Sequence, residues 1–198
     1  MSTPAKTNAA ETVIPSRTFV YLAPTGTAAP ADATVALAAG WRSVGHTTED
    51  SLKFNEEPSF EELKSAQSDF PVRRFQTSDS ATIEVDLEQW SGPNFVAVYG
   101  GGTITEITPA GGGAGPKHYK FVPPRIGGRT EVAAIVEVID GGKSYRFVCP
   151  RVMQLEGVAN DLQKGAASKL PLRLGVLGGD DSDAWYLLTN DPAFSMAP

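Results

Sequence analysis

Residues 131–149, EVAAIVEVIDGGKSYRFVC, carry the strongest hairpin signal in the chain. The first segment, Glu131–Ile139, places its valines on one face and its isoleucines on the other, which is typical of a central strand with cover on each side. The Asp-Gly-Gly run at 140–142 supplies turn residues, and Lys143–Cys149 returns as the second strand. This stretch therefore predicts an antiparallel sheet at the centre of the fold.

The rest of the chain is divided into short apolar runs by Gly and Pro, which number 20 and 15. This punctuation predicts many strands and few helices. The predicted strands outside the hairpin are Arg17–Leu22, Trp41–His46, Ser51–Phe54, Val72–Thr77, Ala81–Trp90, His118–Val122, Arg151–Val158, Leu170–Val176 and Ala184–Leu188. Pro171 predicts a sheet edge or a bulge. Residues 91–100 combine a serine cap, an early proline and a terminal glycine, which predicts a short helix.

These elements predict a mainly β fold: a single antiparallel β-sandwich or barrel-like domain with one short flanking helix and a long inter-strand loop. The 198 residues suffice for one sizeable domain. Residues 1–16 are polar and interrupted by proline, and they are predicted to form a flexible N-terminal arm. Residues 17–190 are predicted to form the β domain, and residues 191–198 a C-terminal tail.

Residues 55–71, NEEPSFEELKSAQSDFP, make up the long loop. They are acidic, yet they carry the large apolar residues Phe60, Leu63 and Phe70. The helical spacing of the first two, together with the Ser-Phe-Glu-Glu run at 59–62, resembles a helix start. A long segment inside a compact β domain indicates a function, and isolated apolar side chains in an acidic segment are suited to anchoring on a partner surface.

Charge and cysteine content exclude several classes of function. The formal net charge is −6 and the pI is about 4.9, and the sequence shows no basic patch suited to nucleic-acid phosphates. Cys149 is the single cysteine and cannot form an internal disulfide. No apolar run has the length of a signal peptide or a membrane span, so we expect the protein to be made in solution within a cell.

Residue types that commonly carry chemistry are few and isolated. His46 and His118 are the two histidines, and each fits a half-exposed strand position better than the base of a nucleophile–base pair. Cys149 ends an apolar run and is predicted to be a buried hydrophobic residue. The glycine run at 111–113 lacks a phosphate-binding motif, and residues 180–183 lack the frame of a calcium loop. No catalytic, cofactor-binding or metal-binding residue is therefore predicted.

The predicted strand Ala81–Trp90 carries Glu84, Asp86 and Glu88 on one face, while apolar residues alternate with them on the other. Neighbouring carboxylates in this row would lie about 7 Å apart, a spacing that does not exclude a catalytic pair. However, no apolar setting is present that would make one carboxyl an acid and its neighbour a base. We interpret the row as the solvent-facing side of a half-buried strand.

Several stretches, taken in their order, resemble a known family. Residues 19–27 (FVYLAPTGT) are followed by Pro30 and by residues 41–51 (WRSVGHTTEDS), and residues 147–152 (FVCPRV) add a later match. In this order they are similar to the major tail tube proteins of long-tailed siphophages, particularly those of actinobacterial hosts. The resemblance extends over residues 17–177.

The resemblance implies a structural protein that is not an enzyme and needs no cofactor. Members of the family fold as a β-sandwich with a flanking helix, and they form hexameric rings that stack around the tape measure protein. Tail terminator and tail-tip proteins are the partners expected at the tube ends. The genome passes through the lumen, so DNA would pass this chain without specific binding. The chain is then expected in the virion tail, after assembly in the host cytoplasm, with no membrane segment.

In that family the long loop reaches the neighbouring ring, and residues 55–71 occupy the matching place. The inter-ring contact candidates are Glu56, Glu57, Phe60, Glu61, Leu63, Lys64 and Phe70. The lumen-lining candidates are Glu84, Asp86 and Glu88, because an acidic wall denies DNA the counterion release that drives binding. Ring closure would also pair sheet edges that are otherwise exposed.

Other functions remain as alternatives at this point. A different β-rich virion component, such as a tail terminator or a head decoration protein, would form one ring or a surface array. A carbohydrate-binding β-sandwich would use a surface row of aromatic side chains, whereas Trp41, Trp90 and Trp185 are scattered along the chain. A hydrolase ranks third, because the sequence nominates neither a base nor a nucleophile.

Overall fold

Strands predominate in the computed structural model, which describes residues 8–109, 116–160, 162, 164–179 and 183–195. In these ranges the strands are β1 (Arg17–Pro24), β2 (Arg42–Ser43), β3 (Lys53–Glu56), β4 (Ser59–Leu63), β5 (Arg73–Ser78), β6 (Ala81–Leu87), β7 (Thr103–Ile107), β8 (His118–Val122), β9 (Val132–Asp140), β10 (Lys143–Gln154), β11 (Leu170–Val176) and β12 (Tyr186–Thr189). Helix α1 is Gly92–Val98, and short 3-10 turns lie at Ala9–Glu11 and Pro192–Phe194. The predicted mainly β fold class is confirmed.

The main sheet contains eight strands within the described ranges. Seven follow the order β2-β1-β9-β10-β11-β6-β3, and β12 pairs with β10 beside this path. Two separate hairpins, β4–β5 and β7–β8, stand outside the sheet. All of these pairings are antiparallel.

The β9–β10 hairpin lies at the centre of the sheet, as the sequence predicts. Asp140 pairs with Lys143 across the turn, where Gly141 has a φ of 58°, a conformation that glycine adopts without steric cost. On its other side β9 pairs with the whole of β1. β9 is therefore an interior strand, and both of its faces are covered: Ala134 and Val136 lie in the apolar core cluster, while Ile135 on the opposite face is also buried.

One apolar cluster connects the two ends of the sheet. Ile83, Val85 and Leu87 of β6 are fully buried and share this cluster with Val20 and Leu22 of β1. β1 and β6 are separated by three strands in the sheet order. The sheet therefore curls over the cluster, so that its two ends form the layers of a sandwich.

Helix α1 closes one side of this cluster and confirms the predicted short helix. The Ser91 side chain accepts a hydrogen bond from the Asn94 backbone N–H and caps the helix. The buried Asn94 side chain donates to the carbonyls of Val44 and Gln89 at 2.8 and 2.9 Å. Val98, on the next turn, is fully buried in the core.

Proline shapes the sheet at two positions. β10 runs as one strand where two were predicted, with a register shift between Cys149 and Val152 around Pro150, because proline lacks the N–H that a regular ladder requires. Pro171 pairs with Asp86 of β6, but on the other side of β11 the pairing with β10 begins only at Leu174. Pro171 therefore lies at a local edge, in agreement with the prediction, although β11 as a whole is an interior strand.

The predicted helix start at 59–62 is wrong, because this segment is strand β4. β4 pairs with β5, so β5 does not pair with β6, the strand that follows it in the sequence. Glu62 lies opposite Arg74 in this register, and their side chains form an ion pair. Pairing between strands, which local periodicity does not report, decides the structure here.

Other boundaries differ more modestly from the predictions. The second strand is only Arg42–Ser43, and β6 ends at Leu87 rather than Trp90. Glu88 instead donates its backbone N–H to the His46 carbonyl. β7 was not predicted at all, although its run of threonine and isoleucine between glycine-rich segments is a β signal.

Residues 25–40 lie over the sheet face opposite the apolar cluster. There the Arg146 guanidinium pairs with Glu137 at 2.7 Å, and both side chains are more than nine-tenths buried. Arg146 also donates to the carbonyls of Asp32 and Val35 at 3.1 and 2.7 Å. The Tyr21 hydroxyl donates to the other Glu137 oxygen. These hydrogen bonds compensate the burial of the two charges, and those from Arg146 fix the loop to the sheet.

Candidate assembly surfaces

The arm hairpin, residues 59–78 with strands β4 and β5, is the most exposed element of the described structure. Every residue of both strands is exposed to solvent. Its large apolar side chains are at least 43% exposed: Phe60, Leu63, Phe70, Val72 and Phe75. A two-stranded ribbon of this kind buries little within its own chain and gains stability when another surface covers it.

The apolar side chains of the arm hairpin are divided between its two faces. The register places Phe60 opposite Gln76 and, two positions along, Glu62 opposite Arg74 on the same face. The other face carries the pairs Glu61–Phe75 and Leu63–Arg73. Neither face is covered by the described part of this chain.

All seven inter-ring contact candidates lie on the arm hairpin or at its base, and all are exposed. Phe60, Glu61 and Leu63 belong to β4, Lys64 follows it, and Phe70 lies at the tip. Glu56 and Glu57 lie at the root, where the Glu57 N–H donates to the Ser80 carbonyl at 2.8 Å. The structure thus places five of these residues on the arm hairpin and the other two, Glu56 and Glu57, where it joins the main sheet.

The three lumen-lining candidates do not form a continuous bare acidic stripe. Arg173, on the neighbouring strand β11, lies 2.8 Å from Asp86 and 3.9 Å from Glu84. Lys53 of β3 is the cross-strand partner of Glu84 on its other side. Glu88 lies beyond the end of β6 and is exposed. Two cations therefore offset part of the negative charge, and the Arg173 contacts are half-exposed ion pairs of modest strength.

The second hairpin, β7 and β8, is attached to the domain by aromatic packing. Phe121 contacts the rings of Phe95 and Tyr99, at centroid distances of 5.7 and 5.2 Å. Trp90 packs edge-on against Phe95 at 5.2 Å. These four side chains form an aromatic cluster that fixes the hairpin to α1.

Two concave surfaces lie near the helix. The helix groove, a cavity of about 630 Å³, is lined by apolar residues of β1, β9 and α1, including Leu22, Val96 and Val132. The turn pocket, a cavity of about 540 Å³, lies beside residues 123–129 and is lined by Tyr99 and Met153 as well. Both are open to solvent and could receive side chains of another molecule.

The tryptophans do not form a surface row that would bind a carbohydrate. Trp41 donates its indole N–H to the Ala28 carbonyl, and Trp90 donates to the Ser168 carbonyl. Trp185 packs with Phe54 and Phe147 at the core. Each ring thus belongs to a different packing cluster.

Residues with catalytic potential are dispersed in the described part of the chain. His46 and His118 are exposed on separate elements. Cys149 is fully buried, and burial raises the pKa of its thiol to about 12, which confirms the predicted buried cysteine. Among the described residues no three His, Cys, Asp or Glu side chains are grouped as metal ligands. The glycine run at 111–113 and residues 180–182 lie outside the described ranges.

Within the ranges that the structure describes, no helix combines the length and the apolar character needed to cross a membrane.

An antiparallel β domain that presents an exposed ribbon with apolar side chains on both faces has the features of a structural assembly protein. A comparison with protein families points to the same class: residues 5–198 match the phage tail tube proteins, and the chain belongs to that family. Tail tube proteins are non-enzymatic structural components of the virion tail. A search of curated proteins found no match.

Proposed function

We propose that this chain assembles into hexameric rings that stack into the tail tube of a long-tailed siphophage and form the conduit for genome delivery. Membership of the tail tube family supports the tube, and the similarity of residues 19–27 and 41–51 to siphophage proteins of actinobacterial hosts supports the phage type and host. Residues 17–190 would be the assembling domain, between an N-terminal segment at 1–16 and a tail at 191–198, of which residues 1–7 and 196–198 lie outside the described ranges.

The observation that carries this proposal is the arm hairpin. Its strands are wholly exposed, and within the described ranges Phe60, Leu63 and Phe75 lie outside the apolar core cluster. Exposing apolar side chains to water is unfavourable in a free subunit, but the exposure ends when a neighbouring subunit covers the ribbon. Such side chains then serve as the apolar anchors of an interface. The arm hairpin, with Glu56, Glu57 and Lys64 at its base and end, is thus suited to contact a neighbouring ring.

The acidic row is proposed to face the lumen. Glu88 is exposed, and Glu84 and Asp86 lie on the face of β6 that points away from the core. Six copies of a row with a residual negative charge would repel phosphates and let DNA slide past without specific binding. Tape measure protein would occupy the lumen before the genome does, with tail terminator and tail-tip proteins at the ends, after assembly in the host cytoplasm.

Negative-stain electron microscopy of the purified protein tests the proposal. We expect tubes of uniform diameter, with six-fold symmetry in end views. Preparations that contain only single rings or single subunits, including after addition of tail-tip proteins, would contradict stacking into a tube.

The lumen assignment has its own test, which uses the fact that Cys149 is buried. A Glu88→Cys variant supplies one accessible thiol. In assembled tubes we expect reaction with a small maleimide and protection from a maleimide attached to a polymer too large to enter; in dissociated subunits both should react. Equal labelling of tubes by the large reagent would place Glu88 on the outer wall.

A further inference from the structure

We propose that the arm hairpin of one subunit docks in the turn pocket of another copy of this chain, with Glu61 facing Arg125. This inference rests on the proposed assembly into a tube, and it identifies the surface that receives the arm. The turn pocket is formed by Tyr99, Pro123, Pro124, Arg125, Arg129 and Met153, together with the turn at 126–127.

The turn pocket combines an apolar floor with a positively charged rim. Tyr99, Pro124 and Met153 supply ring and thioether surfaces, while Arg125 and Arg129 supply two cations. Arg129 is fixed by hydrogen bonds to the carbonyls of Gln154 and Glu156. Arg125 is exposed and, among the described residues, makes no ion pair. The rim therefore has one guanidinium in a fixed place and one available for a partner.

The rim is a defined turn rather than a loose loop. The Gly128 N–H donates to the Arg125 carbonyl at 2.8 Å, and Gly127 has a φ of 78°, as the third position of a type II turn requires. This turn packs closely on the end of α1, since a side-chain carbon at Gly101 would lie 3.2 Å from the Gly128 carbonyl. The Ile126 side chain projects from the turn and is entirely exposed. An unpartnered isoleucine on a rigid turn is an anchor for another surface.

One face of the arm hairpin is complementary to this pocket. Glu61 lies directly opposite Phe75, and Leu63 follows on the same face. Glu61 has no ion pair among the described residues, whereas Glu62, on the other face, is neutralised by Arg74. A free carboxylate beside an aromatic ring thus matches a free guanidinium beside an apolar floor. Arg73 is on this face too, but two positions further from Glu61.

The contact uses two different surfaces of the same chain, so it is heterologous. Each subunit would contribute one arm hairpin and one turn pocket, so the contact can repeat from subunit to subunit without closing on itself. This is the type of contact that a tube of stacked rings needs along its length.

Charge exchange provides the first test. Arg125→Glu alone and Glu61→Arg alone should each lower the yield of tubes by about tenfold or more, because each places like charges together. The double variant should restore tubes. Arg17→Glu, at an exposed position on β1, is the control and should leave the yield unchanged. Circular dichroism of the subunits shows whether each variant is folded.

Cysteine cross-linking provides the second test and does not depend on the charge variants. One sample carries Phe75→Cys and another carries Ile126→Cys, and the buried Cys149 should not react. When the samples are mixed and assembled, a short bismaleimide should link one chain of each kind. Phe60→Cys, on the opposite face of the arm hairpin, is the matched control and should cross-link poorly.

The outcomes separate the two proposals. If the wild-type protein forms no tubes, the proposed function fails. If it forms tubes, the docking site is wrong when Arg125→Glu assembles normally, when the double variant fails to recover although it is folded, or when Phe75→Cys and Ile126→Cys do not cross-link.

Discussion

The two hairpins outside the main sheet have similar local structures but different attachments. The second hairpin packs Phe121 against both Phe95 and Tyr99, whereas the arm hairpin has Phe60, Leu63 and Phe75 exposed on its two faces. Both are two-stranded ribbons with an exposed ion pair across the strands. The aromatic contacts of Phe121 thus attach the second hairpin to its own domain, whereas the apolar side chains of the arm hairpin are exposed.

Removal of the arm hairpin should have the largest effect on assembly and a small effect on folding. Its root is closed by the hydrogen bond from Glu57 to Ser80, next to the pair Glu56–Ala81 of β3 and β6. Replacement of residues 58–79 by an Asn-Gly turn should therefore give a direct β3–β6 hairpin. We expect a folded subunit by circular dichroism and no tubes by electron microscopy. Normal tubes from this variant would show that the arm hairpin has no role between rings.

Truncation of one phenylalanine in each hairpin should separate the two kinds of attachment. Phe121→Ala removes the anchor of the second hairpin and should lower the free energy of unfolding by about 2 kcal/mol, less than for a fully buried phenylalanine. Phe75→Ala, at a position 43% exposed, should change it by less than about 0.5 kcal/mol. Urea unfolding of the subunits measures both. Equal losses from the two variants would mean that the arm hairpin also packs on its own domain.

A third peripheral segment, at 191–194, is attached by the Asp191 carboxylate as well as by a ring contact between Phe194 and Tyr145 at 6.1 Å. The Tyr145 hydroxyl, the Ala193 N–H and Lys143 hold the pKa of the Asp191 carboxyl down at about 2. Because this pKa lies below its ordinary value, the carboxylate stabilises the fold fully above about pH 4 and loses that contribution as the pH falls through 2. Asp191→Asn should therefore be less stable than the wild type at pH 6, and the difference should shrink towards pH 2. A pH-independent difference in urea unfolding would contradict this.

The smallest effects should come from the ion pairs across the two ribbons. The ion pairs Glu62–Arg74 and Glu106–Lys117 are both largely exposed. Arg74→Gln and Lys117→Gln should therefore each lower the free energy of unfolding by less than about 1 kcal/mol. Added salt should make both losses of unfolding free energy smaller still, because it screens exposed charges. A larger, salt-resistant loss at Arg74 in assembled tubes, absent from free subunits, would indicate that this pair becomes buried between rings.

Features with a local physical cause could be predicted from the sequence. The β9–β10 hairpin follows from its Asp-Gly-Gly turn, α1 from the Ser91 cap, and β11 from its alternating leucines. The insertion at 55–71 was identified by its apolar residues in an acidic segment, and β5 (Arg73–Ser78) nearly coincides with the predicted strand Val72–Thr77. In all of these cases neighbours in the sequence determine the conformation.

Features that depend on distant partners could not be predicted in the same way. β4 is a strand because β5 pairs with it, and a periodicity of three or four residues carries no information about that pairing. Arg173 reaches Asp86 across 87 positions of sequence and changes the charge of the acidic row. The opposition of Glu137 and Arg146 does follow from the β9–β10 turn, so this buried pair could have been found by counting outward from residues 140–143.

The Arg146 contacts also have a consequence for the order of folding. Arg146 bonds to the Val35 carbonyl across 111 positions of sequence, whereas its bond to Glu137 spans only 9. The short-range pair can form as soon as the β9–β10 hairpin closes, while the long-range one must wait until β1 has joined the sheet. We therefore expect residues 25–40 to be the last part of the domain to gain protection from hydrogen exchange during refolding, and the first to lose it when Arg146 is replaced.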